Sequence, residues 1–362
     1  MNIRSIELKN FRNYENLEIS FDEGTNILFG DNAQGKTNIL EAAYMSGTTK
    51  PHKGSRDREM IRFGEEEAHL KTVVVRGGRE YQIDMHLKKN RAKGIAIDKI
   101  PIKKASELFG ILNIVFFSPE DLNIIKNGPA ERRRFLDSEL CQLDRIYLAD
   151  LTNYNKILAQ RNKLLKDMIY RPSLSDTLPV WDMQLIETGK KIIRRRKQFV
   201  DELREIVSDI HYRISGGKEE LFLKYEPNID DIFFEDELSR AKEKDKKLCQ
   251  TSVGPHRDDL LFSIGDVDIR KYGSQGQQRT SALSLKLSEI ELVRKSISDT
   301  PVLLLDDVLS ELDSSRQNYL LNNISDTQTI ITCTGLDEFV RNRFTVNRVF
   351  EVIAGHVYER SI

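Results

Sequence analysis

The sequence predicts an α/β fold whose two halves are separated by an inserted helical arm. Strand-like alternation fills the first ~117 residues and returns after Leu221, and between them the apolar residues recur at helical steps. A glycine-rich turn near residue 30 joins a short apolar run to a helix-forming one.

In chain order, residues 3–8 and 17–21 alternate apolar and polar, and 26–29 form an apolar run ending at Gly30. Residues 72–75 and 81–87 read as a hairpin around Gly77-Gly78, and 111–117 as a buried strand. After Pro119 the period changes. Tyr147, Leu151, Tyr154, Leu158, Leu165 and Met168 fall at steps of four and three, with Arg161 filling one slot. Leu185, Ile192, Phe199 and Ile206 repeat every seven, flanked by Ile186, Ile193, Val200, Val207 and Ile214. Two such helices, separated by a loop with Pro172 and Pro179, are expected to pack as an antiparallel coiled-coil-like hairpin. The second, of roughly 33 residues, would be ~50 Å long and end at Gly216-Gly217. Strands are then expected at 260–264, 302–305, 329–332 and 348–352, with helices at 274–298 and 314–323. The predicted division is a discontinuous head, 1–118 and 218–362, interrupted by an arm, 119–217.

Composition narrows the class. The chain has 362 residues, 56 Lys plus Arg against 57 Asp plus Glu, and 39% apolar residues, as expected of a globular protein with two or three cores. No stretch approaches the ~18 apolar residues of a membrane span, and the N-terminus lacks a secretory pattern, so no membrane partner and a cytoplasmic location are expected. Cys141, Cys249 and Cys333 are far apart and in no metal-binding spacing. A net charge of −1 confines any nucleic-acid contact to local patches.

Gly30-Asp31-Asn32-Ala33-Gln34-Gly35-Lys36-Thr37 matches the P-loop pattern GxxxxGK[ST], with a strand before it and Asn38 opening the apolar helix run after it. In such a loop backbone N–H groups cradle the phosphates of ATP, Lys36 reaches the β and γ phosphates, and Thr37 offers its hydroxyl to Mg²⁺. The run 302–305 ends in Asp306-Asp307, where Asp306 would stand near the Mg²⁺ and Asp307 would orient or deprotonate the attacking water. Gly273-Ser274-Gln275-Gly276-Gln277-Gln278-Arg279 opens an amphipathic helix 32 residues before Asp306. Ser274, Gln275, Gly276 and Gln277 resemble the signature turn of ABC-type ATPases, which closes on the γ-phosphate held by the other subunit. One P-loop and one signature imply an ATP-dependent homodimer sandwiching two nucleotides. Ser310-Glu311-Leu312-Asp313 matches the D-loop position of that class.

Further runs resemble the RecF family of SMC-like ATPases over essentially the whole chain. They are Leu8-Lys9-Asn10-Phe11-Arg12-Asn13-Tyr14, Phe117-Ser118-Pro119-Glu120-Asp121-Leu122, Arg132-Arg133-Arg134-Phe135-Leu136-Asp137, Gly254-Pro255-His256-Arg257-Asp258-Asp259 and the stretch from Asp306 to Asp313. The resemblance implies an ABC-type/SMC-like ATPase head with a short arm. It implies binding to duplex DNA or single-strand/double-strand junctions, and work with RecO and RecR to load RecA at gaps. It also places Arg12 beside the nucleotide. Three departures point to slow hydrolysis and a switch-like use of ATP. Ser118-Pro119-Glu120 stands where a Q-loop glutamine is common, Thr332-Cys333-Thr334 where a switch histidine is expected, and Asp307 where most ABC ATPases carry Glu. His256 reads as part of a structural turn, since no nucleophile pattern accompanies it.

For DNA, the densest first-half candidate is 87–104. It has seven basic residues against Asp98, and Lys88, Lys89, Arg91 and Lys93 are the expected contacts. The bland alternative is a lysine-protected sheet edge. In the arm, Lys190, Arg194 and Lys197 share a helix face and stand second. The rival readings are a transport or chromosome motor and an interaction module in which ATP is structural.

Overall fold

The computed structural model describes residues 1–52, 55–324, 326–336 and 345–361. Alternation at the N-terminus builds β1 (Asn2–Phe11) and β2 (Tyr14–Ser20), followed by β3 (Thr25–Phe29) and helix α1 (Lys36–Thr48). Then come β4 (Glu67–Arg76), β5 (Arg79–Lys88), β6 (Arg91–Ile97), the short β7 (Ile100–Pro101) and β8 (Ile114–Phe117). The β4–β5 turn is Gly77-Gly78, both at positive φ, as a two-residue hairpin loop with the twist of its strands requires. Antiparallel pairing gives the sheet order β2-β1-β4-β5-β6-β7. The strand expected at 111–117 begins only at Ile114; 108–112 are turn and bend.

The middle of the chain forms α2 (Leu122–Lys126), α3 (Pro129–Leu143), α4 (Arg145–Asp167) and α5 (Leu178–Ile214). It continues through β9 (Leu221–Glu226), α6 (Phe234–Arg240), α7 (Lys242–Leu248), β10 (Asp259–Ile264), β11 (Val267–Asp268) and α8 (Ile269–Tyr272), into α9 (Gln275–Ile297). Asp144 caps α4 by accepting from the N–H groups of Ile146 and Tyr147. Helices α4 and α5 pair as the expected hairpin, and α5 is 37 residues long. Its buried stripe starts on the seven-residue series, Leu185, Ile192 and Phe199, then drifts to Leu203, Val207, Ile210 and Ile214. Ile206 is only half-buried. A straight helix of 3.6 residues per turn slips ~20° per heptad, so burial passes from the Leu185 series to the flanking one, whose Ile193, Val200, Val207 and Ile214 are all buried.

The chain returns with β12 (Val302–Asp306), α10 (Ser314–Asn323), β13 (Thr329–Cys333), β14 (Val346–Ile353) and β15 (His356–Arg360). These join the earlier strands in a sheet ordered β15-β14-β3-β13-β12-β8, parallel throughout except for the β14–β15 hairpin. One core holds Ile6 and Leu8 of β1, Ile39 and Leu40 of α1, Leu70 of β4 and Leu304 of β12, so α1 is covered by apolar groups from both six-stranded sheets.

The chain divides into two compact units, Met1–Asp121 with Glu289–Ile362, and Leu122–Ser288. The second boundary lies well beyond the 218 expected from sequence. Leu221, Leu223 and Tyr225 of β9 are buried and the strand packs along α5, so 218–288 belongs with the helices. Among the described residues no helix is long and apolar enough to cross a membrane.

Candidate nucleotide site

The P-loop leaves β3 and enters α1 through two glycines that no other residue could replace. Gly30 has φ 149°, and a Cβ there would stand 2.4 Å from the Val352 carbonyl oxygen. Gly35 has φ 115°, and a Cβ would meet the Asn13 amide at 2.4 Å and the Tyr14 hydroxyl at 2.8 Å. The loop is braced from outside. Asn13 Nδ2 donates to the Gln34 carbonyl (2.9 Å), Tyr14 Oη to the Gly35 carbonyl (3.0 Å), and the Ala354 N–H to Gln34 Oε1 (2.6 Å). Asn38 on α1 donates to Asn13 Oδ1 at 2.8 Å. Burial pushes the Tyr14 phenol well above its usual range, so it stays a neutral donor. Asp31, Asn32 and Ala33 at the crest are exposed.

Lys36 is 7% exposed and folded into the loop. Its ammonium donates to the carbonyls of Gly30 (2.5 Å) and Asp31 (2.7 Å). Its pKa is lowered by burial, against the opposing charges of Asp307, Cys333, Asp306 and Asp31. A desolvated cation held by two carbonyl dipoles is a fit for phosphate oxygens.

Because β13 lies between β3 and β12, the P-loop and Asp306 both stand at carboxyl ends of parallel strands, where open α/β sheets bind ligands. Thr37 Oγ1 donates to Asp306 Oδ1 at 2.7 Å, and Thr332 Oγ1 donates to the same oxygen at 2.8 Å. A hydroxyl beside a carboxylate is the all-oxygen donor set a hard cation such as Mg²⁺ takes. Asp307 has φ 53°, and its N–H points at Thr332, 3.0 Å from Oγ1 and 3.2 Å from the carbonyl. Thr332 therefore fixes both members of the acidic pair, a role that no motif in the sequence announces. Ser118 follows β8, its hydroxyl buried with no hydrogen-bond partner among the described residues. The Ser310 hydroxyl donates to the Asp307 carbonyl at 2.7 Å, whereas the Glu311 side chain lies outside the described residues.

Arg12, at φ 53°, sends Nε and Nη2 to Glu41 Oε2 on α1 at 3.1 and 2.9 Å. In the other unit, Ser274 and Gln277 form a reciprocal capping box on α9. The Ser274 N–H donates to Gln277 Oε1 (2.9 Å) and the Gln277 N–H to Ser274 Oγ (3.2 Å). Ser274, Gln275 and Gly276 are exposed.

The basic candidates fare unequally. Lys88 lies 3.7 Å from Glu67 and Lys89 2.9 Å from Glu66. The Lys93 ammonium is tied to Asp57 (2.9 Å) and to the Thr49 carbonyl and is largely covered. Arg91 is exposed. In the arm, Arg194 pairs with Asp231 at 2.5 Å, and Arg132 is buried against Asp259. Arg161, which reads in sequence as filling a helical slot, and Arg196 are buried ion-pair centres. His256 is engaged through both ring nitrogens. Nδ1 accepts from Tyr154 Oη (2.7 Å), Nε2 lies 3.1 Å from the Thr251 carbonyl, and its pKa falls to about 4, chiefly through burial.

The family model for the RecF/RecN/SMC N-terminal domain matches residues 2–356. The chain is 74% identical over 357 residues to the "DNA replication and repair protein RecF" of Agathobacter rectalis, covering 99% of both sequences. The chain belongs to the RecF family. A second RecF, from Lachnospira eligens, is 63% identical over 99% of each chain. A solved structure of the recombination mediator protein RecF with ATP superposes with a TM-score of 0.93 at 35% identity, over 99% of this chain and 97% of that one. An Smc head domain from Pyrococcus furiosus aligns at TM-score 0.57 and 17% identity, a likeness of fold alone. The fold is the ABC-type, SMC-like ATPase head of the RecF family.

Proposed function

We propose that this chain is an ATP-dependent DNA-binding protein of recombinational repair and replication restart, which dimerises on ATP and helps RecO and RecR load RecA at single-strand gaps. The observation that carries this is the P-loop: Lys36 held by two carbonyls above a Thr37–Asp306 pair, in a chain 74% identical to a RecF. Lys36 binds the β and γ phosphates, Thr37 and Asp306 hold Mg²⁺, and Arg12, Gly30 to Gly35 and Asn38 shape the pocket. When bound, Mg²⁺ supplies charge neutralisation at the phosphates. Asp307 orients the attacking water, and the turn Ser274–Gln277 closes the site of a second copy. DNA is met through phosphates by Lys88, Lys89 and Arg91, with Lys93 occupied by Asp57.

Light scattering with ATP tests the dimer. Lys36→Met should abolish nucleotide binding and dimerisation, whereas Ser274→Arg should bind ATP as a monomer and fail to dimerise. Normal dimers in either variant would sink the composite site. Turnover measured with and without DNA separates a switch from structural ATP. Neutralising Lys88, Lys89 and Arg91 should weaken binding to all DNA sequences alike and flatten the salt dependence, by roughly 0.9 in log–log slope for each phosphate no longer neutralised. An unchanged slope moves the DNA site to Lys190, Arg194 and Lys197.

A further inference from the structure

The outer face of the antiparallel sheet carries a group of ligating side chains that the nucleotide site does not use. His69 on β4 and His86 on β5 are direct cross-strand partners, and their rings stack with centroids 4.0 Å apart. Glu67, two residues before His69 and on the same face, places Oε2 2.9 Å from His86 Nε2 and Oε1 3.8 Å from His69 Nε2. One ligand atom from each of the three can be chosen so that all lie within 4.8 Å of one another. Bonds of 2.0–2.1 Å to a tetrahedral ion put ligand atoms roughly 3.3 Å apart, so atoms already within 4.8 Å of one another need small side-chain rotations to converge on one ion.

The surroundings leave room for an ion. Across β5 from His86 the β6 partner is Gly94, where even a Cβ would have only the His86 Cβ within 4 Å, at 3.9 Å. The three strands thus open onto a groove of about 710 Å³, whose wall includes His69, His86 and Gly94. Lys71 of the groove wall is paired with Glu7 at 2.6 Å, while Lys9, across β1 from His69, and Lys88, 3.7 Å from Glu67, lie beside the group. Both have flexible stems that let their charges swing into water.

We propose that Glu67, His69 and His86 form a binding site for a divalent transition-metal ion, of the zinc, nickel or copper class, with its remaining position open to the groove. Two imidazoles and one carboxylate select these borderline ions over Mg²⁺, which prefers the all-oxygen pair Thr37 and Asp306. The bound ion would staple β4 to β5 and release Lys88 from Glu67.

The test titrates the full-length protein with Zn²⁺ and Ni²⁺ in an excess of Mg²⁺, against a chromophoric chelator. Wild type should take one equivalent, and His69→Asn or His86→Asn should each weaken it by about tenfold or more. Glu67→Gln should weaken it less. All three side chains are about a third exposed or more, so the variants should melt like wild type without metal. Zn²⁺ should raise the melting temperature of wild type and leave that of the double histidine variant unchanged. Absence of binding, or an equivalent retained undiminished in the double variant, overturns the site.

Discussion

Buried cations in the two units are held in opposite ways. In the head, Lys36 is nearly inaccessible, yet its ammonium donates to two backbone carbonyls, and burial lowers its pKa. In the helical unit, Arg161 donates to Asp182, Asp245 and Thr251, while Arg196 donates to Asp137, Asp258, Tyr147 and the Pro255 carbonyl. Burial pulls the Arg196 pKa down, but Asp137, Tyr147, Tyr225 and Asp258 outweigh it and the net shift is upward. A cation surrounded by carboxylates is bound into the fold, whereas one resting on carbonyl dipoles keeps its charge for an incoming anion.

The largest expected effect follows from the carboxylate-bound side of that contrast. Arg196→Met removes the cation paired with Asp258, which is fully buried and keeps only the Tyr225 hydroxyl and the Asn228 N–H as donors, and should destabilise by about 3–5 kcal/mol. Urea unfolding measures it, and adding Asp258→Asn should recover part of the loss. A single variant as stable as wild type would show the arginine to be dispensable and end the contrast.

Next comes His256, which sits beside the same network. Its folded pKa of about 4 lies below the ordinary value of 6.5, so the unfolded chain takes up the proton first. Its stabilising contribution is complete above pH 6.5 and is lost as the pH falls towards 4, on the order of 2–4 kcal/mol. His256→Gln should flatten stability across that window. A slope undiminished in the variant would assign the acid sensitivity to other groups.

These arginines show what a sequence can and cannot disclose. The P-loop, Asp306 and the signature turn are legible because each is a local run whose spacing states its geometry. Arg161 is visible only as a charged residue in an apolar helical slot; its carboxylate partners, Asp182 and Asp245, are 21 and 84 residues away. The local charge of the basic stretch 87–104 is likewise incomplete when read from sequence. Its apparent surplus ignores Glu66, Glu67 and Asp57, which strand pairing and a neighbouring turn bring beside it. Thr332 is silent because sequence does not say that β13 is inserted between β3 and β12.

Thr332 offers a smaller test within the head. Thr332→Val keeps the shape but removes the hydroxyl shared by Asp306 and the Asp307 N–H, and should cost about 1–2 kcal/mol of stability. Turnover should fall more than nucleotide affinity, because Lys36 and the loop remain while the Asp307 N–H keeps only the Thr332 carbonyl and Asp306 loses one of its two hydroxyl donors. Equal losses in both would make Thr332 a packing residue and nothing more.

The smallest effect on the fold is the sharpest for the comparison. Lys36→Met removes a cation as inaccessible as many core residues, so burial alone would rank it with Arg196. The carbonyls it leaves belong to Gly30 and Asp31, at a crest where Asp31, Asn32 and Ala33 are exposed, and water can take over both acceptors. No carboxylate is stranded in the interior, and the thioether fills the same channel without the desolvation penalty of the ammonium. The unfolding free energy should therefore change by less than about 1 kcal/mol, while nucleotide binding disappears. Urea unfolding beside a nucleotide titration reads both quantities on one sample. A loss of stability as large as that of Arg196→Met would mean that Lys36 also holds the head together, and that the two units do not treat their buried cations differently.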